Sequence, residues 1–286
     1  MNDYDIGDDI QLIKELRNYS DSELAKSLNV SRMTINRWVN DSTQMSDINI
    51  ASFYEFAFAN GIRLNDIHAQ LMKEEYEDAD NKILFHGSKN GIIGQIDFTK
   101  TSERNDFGRG FYCGESLEQS AMFVSAYPSS SLYILRFNQV GLKSLKYSVD
   151  RDWMLSIALF RGRLGKYEGH REIVRLKQAA DSADYIIAPI ADNRMFDLID
   201  EFADGQITDI QCQHCLSATD LGNQYVFTSQ KSLENLRIIQ HRYLAGNEKE
   251  SYITRRTALH AVSMDKVKAA KRSYRNKGKY IDEILK

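Results

Sequence analysis

Apolar residues recur at helical spacing through the first 80 residues of the chain. A recurrence at every third or fourth position predicts amphipathic helices. The sets that show it are Ile10, Ile13 and Leu16; Leu24, Ala25 and Leu28; Met33, Ile35, Trp38 and Val39; Ile50, Phe53, Tyr54, Phe56 and Ala57; and Leu64, Ile67 and Leu71. Ser20 and Glu23 are spaced as a capping box, and Ser31 is placed to cap the following helix. The pattern therefore predicts an all-helical N-terminal domain.

The pattern changes at Lys82. Short segments rich in β-branched and aromatic residues predict strands, and apolar-periodic stretches between them predict helices. The strands are expected at residues 83–86, 132–137, 185–188 and 225–227, and the helices chiefly at residues 117–126, 153–161 and 195–203. The sequence therefore predicts an α+β fold class, in which a domain of strands and helices follows the helical domain.

Charge divides the chain into three segments. Residues 1–80 carry 7 Lys/Arg against 16 Asp/Glu, a net charge of −9. Residues 81–245 carry 19 of each, and residues 246–286 carry 11 basic against 5 acidic residues, a net charge of +6. We therefore predict a helical domain at residues 1–80, a second domain at residues 81–245 and a basic helical tail at residues 246–286.

Composition excludes several classes of protein. The chain has 286 residues, of which 42% are apolar and 27% charged, values typical of a globular protein with a core. No apolar run approaches the roughly 20 residues that a membrane helix needs, so no membrane partner is expected. The acidic start lacks the features of a secretory signal, and three cysteines offer no disulfide framework. These features favour a cytoplasmic protein.

Residues 20–40 resemble the helix-turn-helix of phage-repressor-like regulators. In that arrangement the exposed side of the second helix enters the DNA major groove. The resemblance implies DNA contacts through Arg32, Thr34, Asn36 and Arg37, whose side chains suit base or phosphate contacts. The net charge of −9 opposes attraction to DNA, so a domain of this fold used for protein contact or oligomerisation remains an alternative.

Three separated segments of the second domain fit one chemical site. Phe85-His86-Gly87-Ser88 ends a predicted strand, where His86 is expected to face a cleft and Gly87 lets a ligand approach the backbone. Residues 107–123 begin with a glycine-bracketed strand and turn, FGRGFYCG, and continue as a helix. The third segment, Asn223-Gln224-Tyr225, opens a late strand.

The order F-H-G-S, then F-G-R-G-F-Y with a serine eight residues after the tyrosine, then N-Q-Y, resembles a known family. These are the three signature segments of the ADP-ribosyltransferases related to diphtheria toxin and the poly(ADP-ribose) polymerases. The phrase DYIIAPIAD at residues 184–192 further resembles a bacterial group found near toxin–antitoxin-like genes. The resemblance spans residues 82 to about 240 and implies a split, mostly antiparallel β-sheet with flanking helices that cradles NAD⁺.

The resemblance also implies roles for single residues. His86 would bond the ribose next to the nicotinamide, and the Gly87 backbone and the Ser120 hydroxyl would hold the carboxamide. The rings of Tyr112 and Phe123 would lie on either side of the nicotinamide, a flat cation that gains from stacking and cation–π attraction. The implied catalytic residues are His86, Tyr112 and Gln224. The implied NAD-binding residues are Gly87, Ser88, Arg109, Gly110, Ser120 and Phe123, with Arg109 either at the pyrophosphate or simply an exposed strand charge.

Gln224 stands where this family usually has a catalytic glutamate. A glutamine forms hydrogen bonds but supplies neither a negative charge nor a general base, so transfer of a single ADP-ribose is expected rather than a polymer. The resemblance therefore implies an NAD-dependent mono-ADP-ribosyltransferase that modifies a protein or nucleic acid, as a toxin or phage-defence effector with an antitoxin-like partner. Two alternatives stay open: a DNA-binding regulator whose second domain senses NAD⁺ or ADP-ribose without catalysis, and an NAD⁺ glycohydrolase, in which water is the acceptor.

Cys212 and Cys215 have the spacing of half a zinc site. A structural zinc normally takes four ligands, and the chain has no second cysteine pair. The two thiols are therefore expected on a loop or helix with no bound metal.

Overall fold

A computed structural model gives the fold of residues 4–41, 45–191, 193–218 and 222–286, so that Asp192, the last residue of the DYIIAPIAD phrase, lies outside the described residues. Within these ranges the chain has thirteen α-helices and seven strands, which confirms the predicted α+β class. Contacts divide the chain into two units. The first unit is Met1–Gly91, Ser116–Asn138 and Arg237–Arg255, and the second is Ile92–Glu115, Gln139–Leu236 and Arg256–Lys286. The predicted boundaries at residues 80 and 245 stay predictions.

The first unit begins with five helices. They are α1 (Ile6–Arg17), α2 (Asp21–Ser27), α3 (Arg32–Asn40), α4 (Asp47–Ala59) and α5 (Leu64–Tyr76). Their apolar faces form one buried cluster, to which α3 contributes Ile35 and Trp38. The run of short helices follows the apolar periodicity of the sequence, because each helix buries the face on which its apolar residues recur.

The helix starts in this bundle follow local hydrogen bonding. The Ser20 hydroxyl accepts a hydrogen bond from the Glu23 amide at 3.3 Å, and the Glu23 carboxylate accepts one from the Ser20 amide at 2.7 Å. This is the predicted capping box of α2, which satisfies amides that have no partner inside the helix. The Ser31 hydroxyl caps α3 by accepting from the Thr34 amide at 3.1 Å. Both predicted caps are confirmed.

Three strands and a short helix complete the body of the first unit. β1 (Asn81–Ser88) pairs antiparallel with β3 (Ser131–Asn138), and β3 lies beside β7 (Leu236–Tyr243), whose first residue belongs to the second unit. The helix α6 (Leu117–Val124) packs on β1 and β3. The predicted strands at residues 83–86 and 132–137 and the helix near residues 117–126 are confirmed. β7 was not predicted.

A charged network is buried inside the first unit. Asp9 on α1 and Arg242 on β7 are both fully buried, and the guanidinium donates to the two carboxylate oxygens at 3.0 and 2.8 Å. Tyr54 Oη and His68 Nε2 each lie 2.6 Å from that carboxylate. Burial alone raises the pKa of Asp9, but Arg242 and the bonds from His68 and Tyr54 outweigh it and hold the pKa below its usual range.

The same network continues to the start of α12 (Gly246–Ser273). Asn65 accepts from Arg242 Nε at 3.2 Å, and its Nδ2 lies 3.1 and 3.0 Å from the two carboxylate oxygens of Glu248. Burial raises the pKa of Glu248 to about 7, against the lowering effect of the Asn65 bonds. The network thus ties α1, α4 and α5 to β7 and α12 through polar groups.

Glu248→Gln is expected to make the protein more stable at about pH 8 by about 1–3 kcal/mol. The folded chain holds this proton more tightly than the unfolded chain, whose glutamate pKa lies near 4.5, so the ionised wild-type carboxylate costs stability above the folded pKa of about 7. The cost fades as the pH falls from 7 to 4.5 and is absent below 4.5, where the carboxyl is protonated in both the folded and the unfolded chain. Urea unfolding across this range measures the difference, with the exposed Glu250→Gln as the control. A difference that does not change with pH contradicts the expectation.

The second unit has a four-stranded arrangement in the order β4-β5-β6-β2. The strands are β2 (Phe111–Gly114), β4 (Ser144–Lys146), β5 (Tyr185–Pro189) and β6 (Asn223–Phe227). β4 runs parallel to β5, whereas β5–β6 and β2–β6 are antiparallel. The predicted strands at residues 185–188 and 225–227 are confirmed. Val226 and Phe227 point to opposite faces of β6, and both are fully buried.

Helices cover the core of the second unit. They are α7 (Arg151–Phe160), α8 (Arg171–Asp181), α9 (Asn193–Ala203), α10 (Asp209–Leu216), α11 (Gln230–Glu234), the later part of α12 and α13 (Ile281–Ile284). The predicted helices near residues 153–161 and 195–203 are confirmed, and the predicted helical tail corresponds to α12 and α13. Within the described residues, no helix combines the length and the apolar character needed to cross a membrane.

Candidate functional site

A buried pair of polar side chains lies in the second unit. Gln224 is the second residue of β6 and is 8% exposed. Asp106 lies in the loop before β2 and is 9% exposed. The Gln224 amide nitrogen donates to Asp106 Oδ2 at 3.0 Å and to the backbone carbonyl of Pro189 at 3.3 Å. Two acceptors on one side assign that end of the amide as the NH₂ group. The amide oxygen of Gln224 accepts no hydrogen bond among the described residues.

The loop that carries Asp106 is held by the Tyr112 hydroxyl. That hydroxyl accepts a hydrogen bond from the Phe107 amide at 3.2 Å and donates one to the Gly108 carbonyl at 2.8 Å. The Phe107 ring is buried and stacks on Tyr147, with ring centroids 5.4 Å apart. The Asp106 backbone is therefore fixed from one side by hydrogen bonds and from the other by packing.

The environment of Asp106 combines burial with one nearby cation. Arg161 Nη1 lies 3.7 Å from Asp106 Oδ1, too far for a hydrogen bond, and the guanidinium carbon lies 3.6 Å from the centroid of the Phe196 ring. Burial raises the pKa of Asp106 to about 6, and the Gln224 bond and Arg161 limit the rise. The carboxyl is therefore ionised above neutral pH while it stays close to Gln224.

The first predicted segment lies on β1 of the first unit. His86 is half-buried on this strand, with its ring 6.3 Å from the Tyr133 ring on β3. Ser120 on α6 is buried, and its hydroxyl donates to the Phe85 carbonyl at 3.1 Å. A Cβ atom at Gly87 would lie 2.5 Å from the Ser120 carbonyl oxygen, so β1 and α6 approach each other as closely as a glycine permits. Gly87 and Ser120 are therefore neighbours, and their predicted contact with a carboxamide stays a prediction.

Gly87→Ala is expected to lower the free energy of unfolding by about 1–3 kcal/mol. The added methyl group would meet the Ser120 carbonyl at 2.5 Å and both methyl groups of Val124 at 2.9 Å, so α6 must move away from β1. Urea unfolding measures the loss. Gly169→Ala, where no atom lies within 4 Å of the new Cβ, is the matched control and is expected to change stability little. Equal values for the two variants would contradict the close approach.

The remaining predicted NAD-binding residues are spread over both units. Ser88 ends β1 and is partly exposed, and Phe123 on α6 is 65% exposed. Arg109 is exposed, donates to Glu103 at 2.7 Å and also bonds the Thr99 carbonyl. Gly110 is buried, and a Cβ atom there would lie 2.5 Å from a Val226 methyl group, which explains the glycine by packing on β6. Contact of these residues with NAD⁺ stays a prediction.

The predicted DNA-contacting residues lie on α3. Arg32, Asn36 and Arg37 are exposed, Thr34 is partly exposed, and the buried Ile35 and Trp38 lie on the other side of the helix. A shallow, open depression on this face is lined by Ser31, Arg32, Met33, Thr34, Asn36 and Arg37. The turn before α3 contains Asn29 in the left-handed conformation, with φ of 55°. The four predicted residues thus share one accessible surface, and DNA binding by it stays a prediction.

The thiols Cys212 and Cys215 lie on α10 and are buried. Their sulfur atoms contact the carbonyls of Leu198 at 3.4 Å and Val267 at 3.8 Å. His214 faces the other way and stacks on Tyr274. Over the ranges that the structure describes, no group of three or more His, Cys, Asp and Glu side chains is arranged to hold a metal ion.

Asp106 and Arg161 were not among the predicted site residues. Asp106 belongs to no sequence motif by itself, and it reaches Gln224 across 118 positions of the chain. One local signal was present: Asp106 stands directly before the glycine-bracketed segment FGRG. Arg161 follows α7, and only the fold shows that the end of this helix faces the Asp106 loop.

A family model described as a protein of unknown function (DUF3990) matches residues 82–238. The matched stretch includes His86, Asp106, Tyr112 and Gln224 and leaves out the helices α1 to α5. No curated protein and no solved structure matches the chain.

Proposed function

We propose that this chain, which belongs to the DUF3990 family of proteins of unknown function, is an NAD⁺-dependent mono-ADP-ribosyltransferase. The observation that carries the proposal is the arrangement of Gln224. Its amide nitrogen is bonded to Asp106 and to the Pro189 carbonyl, which leaves the amide oxygen as an acceptor for a ligand hydroxyl. In the resembled ADP-ribosyltransferases a glutamate at this position holds the ribose, and the fixed amide oxygen of Gln224 can accept the same hydrogen bond.

The reaction breaks the bond between ribose C1′ and the nicotinamide nitrogen. The bonding electron pair leaves with nicotinamide, which becomes neutral, and positive charge develops on the ribose. A nucleophilic atom of the acceptor then forms a bond to C1′ and releases its proton. The amide oxygen of Gln224, a preorganised hydrogen-bond acceptor beside the ribose, stabilises the developing positive charge. Gln224 has no group that can take the proton of the molecule that receives ADP-ribose. This favours a single transfer to an acceptor that is already nucleophilic.

Two side chains of the first unit support the same reading. Phe123 exposes 65% of its surface, which is unusual for a large apolar ring and suits the stacking partner of a flat cation. His86 is half-buried on β1, next to a glycine that an alanine could not replace without moving α6. In the proposal His86 bonds the ribose, Ser88 and Gly110 line the ligand, and Arg109 meets the pyrophosphate by exchanging its bond to Glu103.

Incubation with NAD⁺ labelled in the adenylate phosphate and a bacterial lysate tests the proposal. Wild-type protein is expected to transfer label to macromolecules, whereas Gln224→Ala transfers much less. Protease and nuclease digestion of the product then assign the acceptor to protein or nucleic acid. Loss of NAD⁺ without labelled macromolecules would instead indicate a glycohydrolase. The absence of both label and free nicotinamide would contradict the proposal.

We propose a second candidate function, DNA binding through α3. It is favoured by the shared accessible face that carries Arg32, Thr34, Asn36 and Arg37. Under this hypothesis the chain is a cytoplasmic regulator, and two copies of the protein bind two DNA half-sites through their first units. A gel shift with DNA from the region around its own gene tests it. Arg32→Ala and Arg37→Ala are expected to abolish the shift, while Lys73→Ala on α5 leaves it unchanged. No shift at low salt would contradict DNA binding.

A further inference from the structure

The site in the second unit contains a charge that its glutamine cannot provide. Asp106 is 9% exposed, and its carboxylate lies 3.0 Å from the Gln224 amide nitrogen. A buried carboxylate is costly unless it is bonded or paired, yet its one nearby cation, among the described residues, is Arg161 at 3.7 Å. Arg161 therefore approaches the Asp106 carboxylate without a hydrogen bond, and the side-chain hydrogen bond to this carboxylate comes from Gln224.

The hydrogen bond between Gln224 and Asp106 can run in one direction only. Because the carboxylate can only accept when ionised, Gln224 must present its NH₂ group to Asp106. The Pro189 carbonyl at 3.3 Å takes the second proton of that group. The amide oxygen is consequently turned away from both acceptors, and rotation of the amide would place oxygen against oxygen at two contacts.

The position of Asp106 is itself fixed. Tyr112 bonds the Phe107 amide at 3.2 Å and the Gly108 carbonyl at 2.8 Å, on the residues that follow Asp106. A Cβ atom at Gly108, where φ is +72°, would also lie 3.2 Å from the Phe160 ring, so the loop has little room to shift. A side chain held this firmly by its backbone can serve as a positioning group.

We propose that Asp106 is the positioning residue of this site, that it fixes Gln224 with the amide oxygen toward the ligand's ribose hydroxyl, and that it supplies the negative charge. The proposal rests on the proposed function. The carboxylate and the amide together do what a single glutamate does in the resembled family: one oxygen accepts the hydroxyl, and one charge stabilises the cationic ribose in the transition state. Asp106 stays ionised and transfers no proton in this step.

Exchanging the two groups tests the proposal. The variants are Asp106→Asn, Gln224→Glu and the double variant Asp106→Asn with Gln224→Glu, assayed for nicotinamide release from NAD⁺ at about pH 8, where Asp106 is ionised. Asp106→Asn is expected to reduce kcat on the order of 100-fold while KM for NAD⁺ changes little. Gln224→Glu places two carboxylates at hydrogen-bond distance and is also expected to lose activity. The double variant restores one carboxylate and one amide with reversed polarity but leaves a carboxylate oxygen against the Pro189 carbonyl, so it is expected to recover part of kcat and to be more active than either single variant.

Other outcomes separate the failure of this inference from the failure of the proposed function. Wild-type protein that releases no nicotinamide contradicts the proposed function. If wild type is active, two results would overturn the role of Asp106. One is an Asp106→Asn variant with unchanged activity, and the other is a Gln224→Glu variant at least as active as wild type. Asp181→Asn, an exposed residue at the end of α8, is the matched control and is expected to retain full activity. Urea unfolding of wild type, the three site variants and Asp181→Asn shows whether each is folded, and the activity of Gln224→Glu decides the question if Asp106→Asn does not fold.

Discussion

Replacing Arg242 by methionine is expected to lower the free energy of unfolding by about 3–5 kcal/mol. Arg242 is fully buried on β7 and donates to both oxygens of the equally buried Asp9, at 3.0 and 2.8 Å. Without the guanidinium, the described side-chain partners of the buried Asp9 carboxylate are the Tyr54 hydroxyl and the His68 ring.

Urea unfolding followed by circular dichroism measures this loss. Arg237→Met on the same strand is the matched control, because Arg237 is exposed and is expected to change stability by less than about 0.5 kcal/mol. The double variant Asp9→Leu with Arg242→Met removes both charges and is expected to be more stable than Arg242→Met alone. An Arg242→Met protein within about 1 kcal/mol of wild type would contradict the buried ion pair.

His86→Ala is expected to reduce nicotinamide release from NAD⁺ by on the order of 100-fold or more. In the proposed function the imidazole holds the ribose whose C1′ becomes cationic, so its loss affects the transition state more than the bound substrate. The ring is half-buried and lies 6.3 Å from Tyr133, so removing it creates no large cavity and the fold should persist.

The measurement is the rate of nicotinamide release, with unfolding in urea as a check on folding. His260→Ala on the exposed part of α12 is the control and is expected to keep wild-type activity. A His86→Ala protein that is folded and fully active would remove His86 from the mechanism. Equal losses in the two variants would point to a general effect on the protein.

The helical bundle could be predicted because its signals are local. Apolar periodicity and the Ser20 and Ser31 caps depend on neighbours within one turn of helix, and they give α2 and α3 with the expected buried and exposed sides. The charged network was not predicted, although one signal was present. Asp9 stands three residues after Ile6 and four before Ile13, on the buried side of α1. A charge on that stripe indicates a buried partner, but nothing in the sequence identifies Arg242, 233 positions away.

β7 was missed for the same reason. In its sequence LRIIQHRY, an arginine at position 242 predicts an exposed side chain. Arg242 is instead fully buried, because Asp9 and Asn65 bind it. At the candidate site, motif order suggested the residues with recognisable neighbours, including His86 and Gln224. Asp106 stands directly before the segment FGRG, but only the pairing of β6 with β2 and the folded loop bring it to Gln224. Long-range polar pairs of this kind depend on the fold and leave little trace in local pattern.

Quantifying nicotinamide released from NAD⁺ by the purified full-length chain tests the central claim most directly. The account predicts that wild-type protein releases nicotinamide, in an amount equal to the NAD⁺ consumed, faster in the presence of an acceptor-containing lysate than in its absence. It also predicts that His86→Ala and Asp106→Asn proteins, folded by urea unfolding, release far less. NAD⁺ that stays intact with wild-type protein under both conditions would contradict the account.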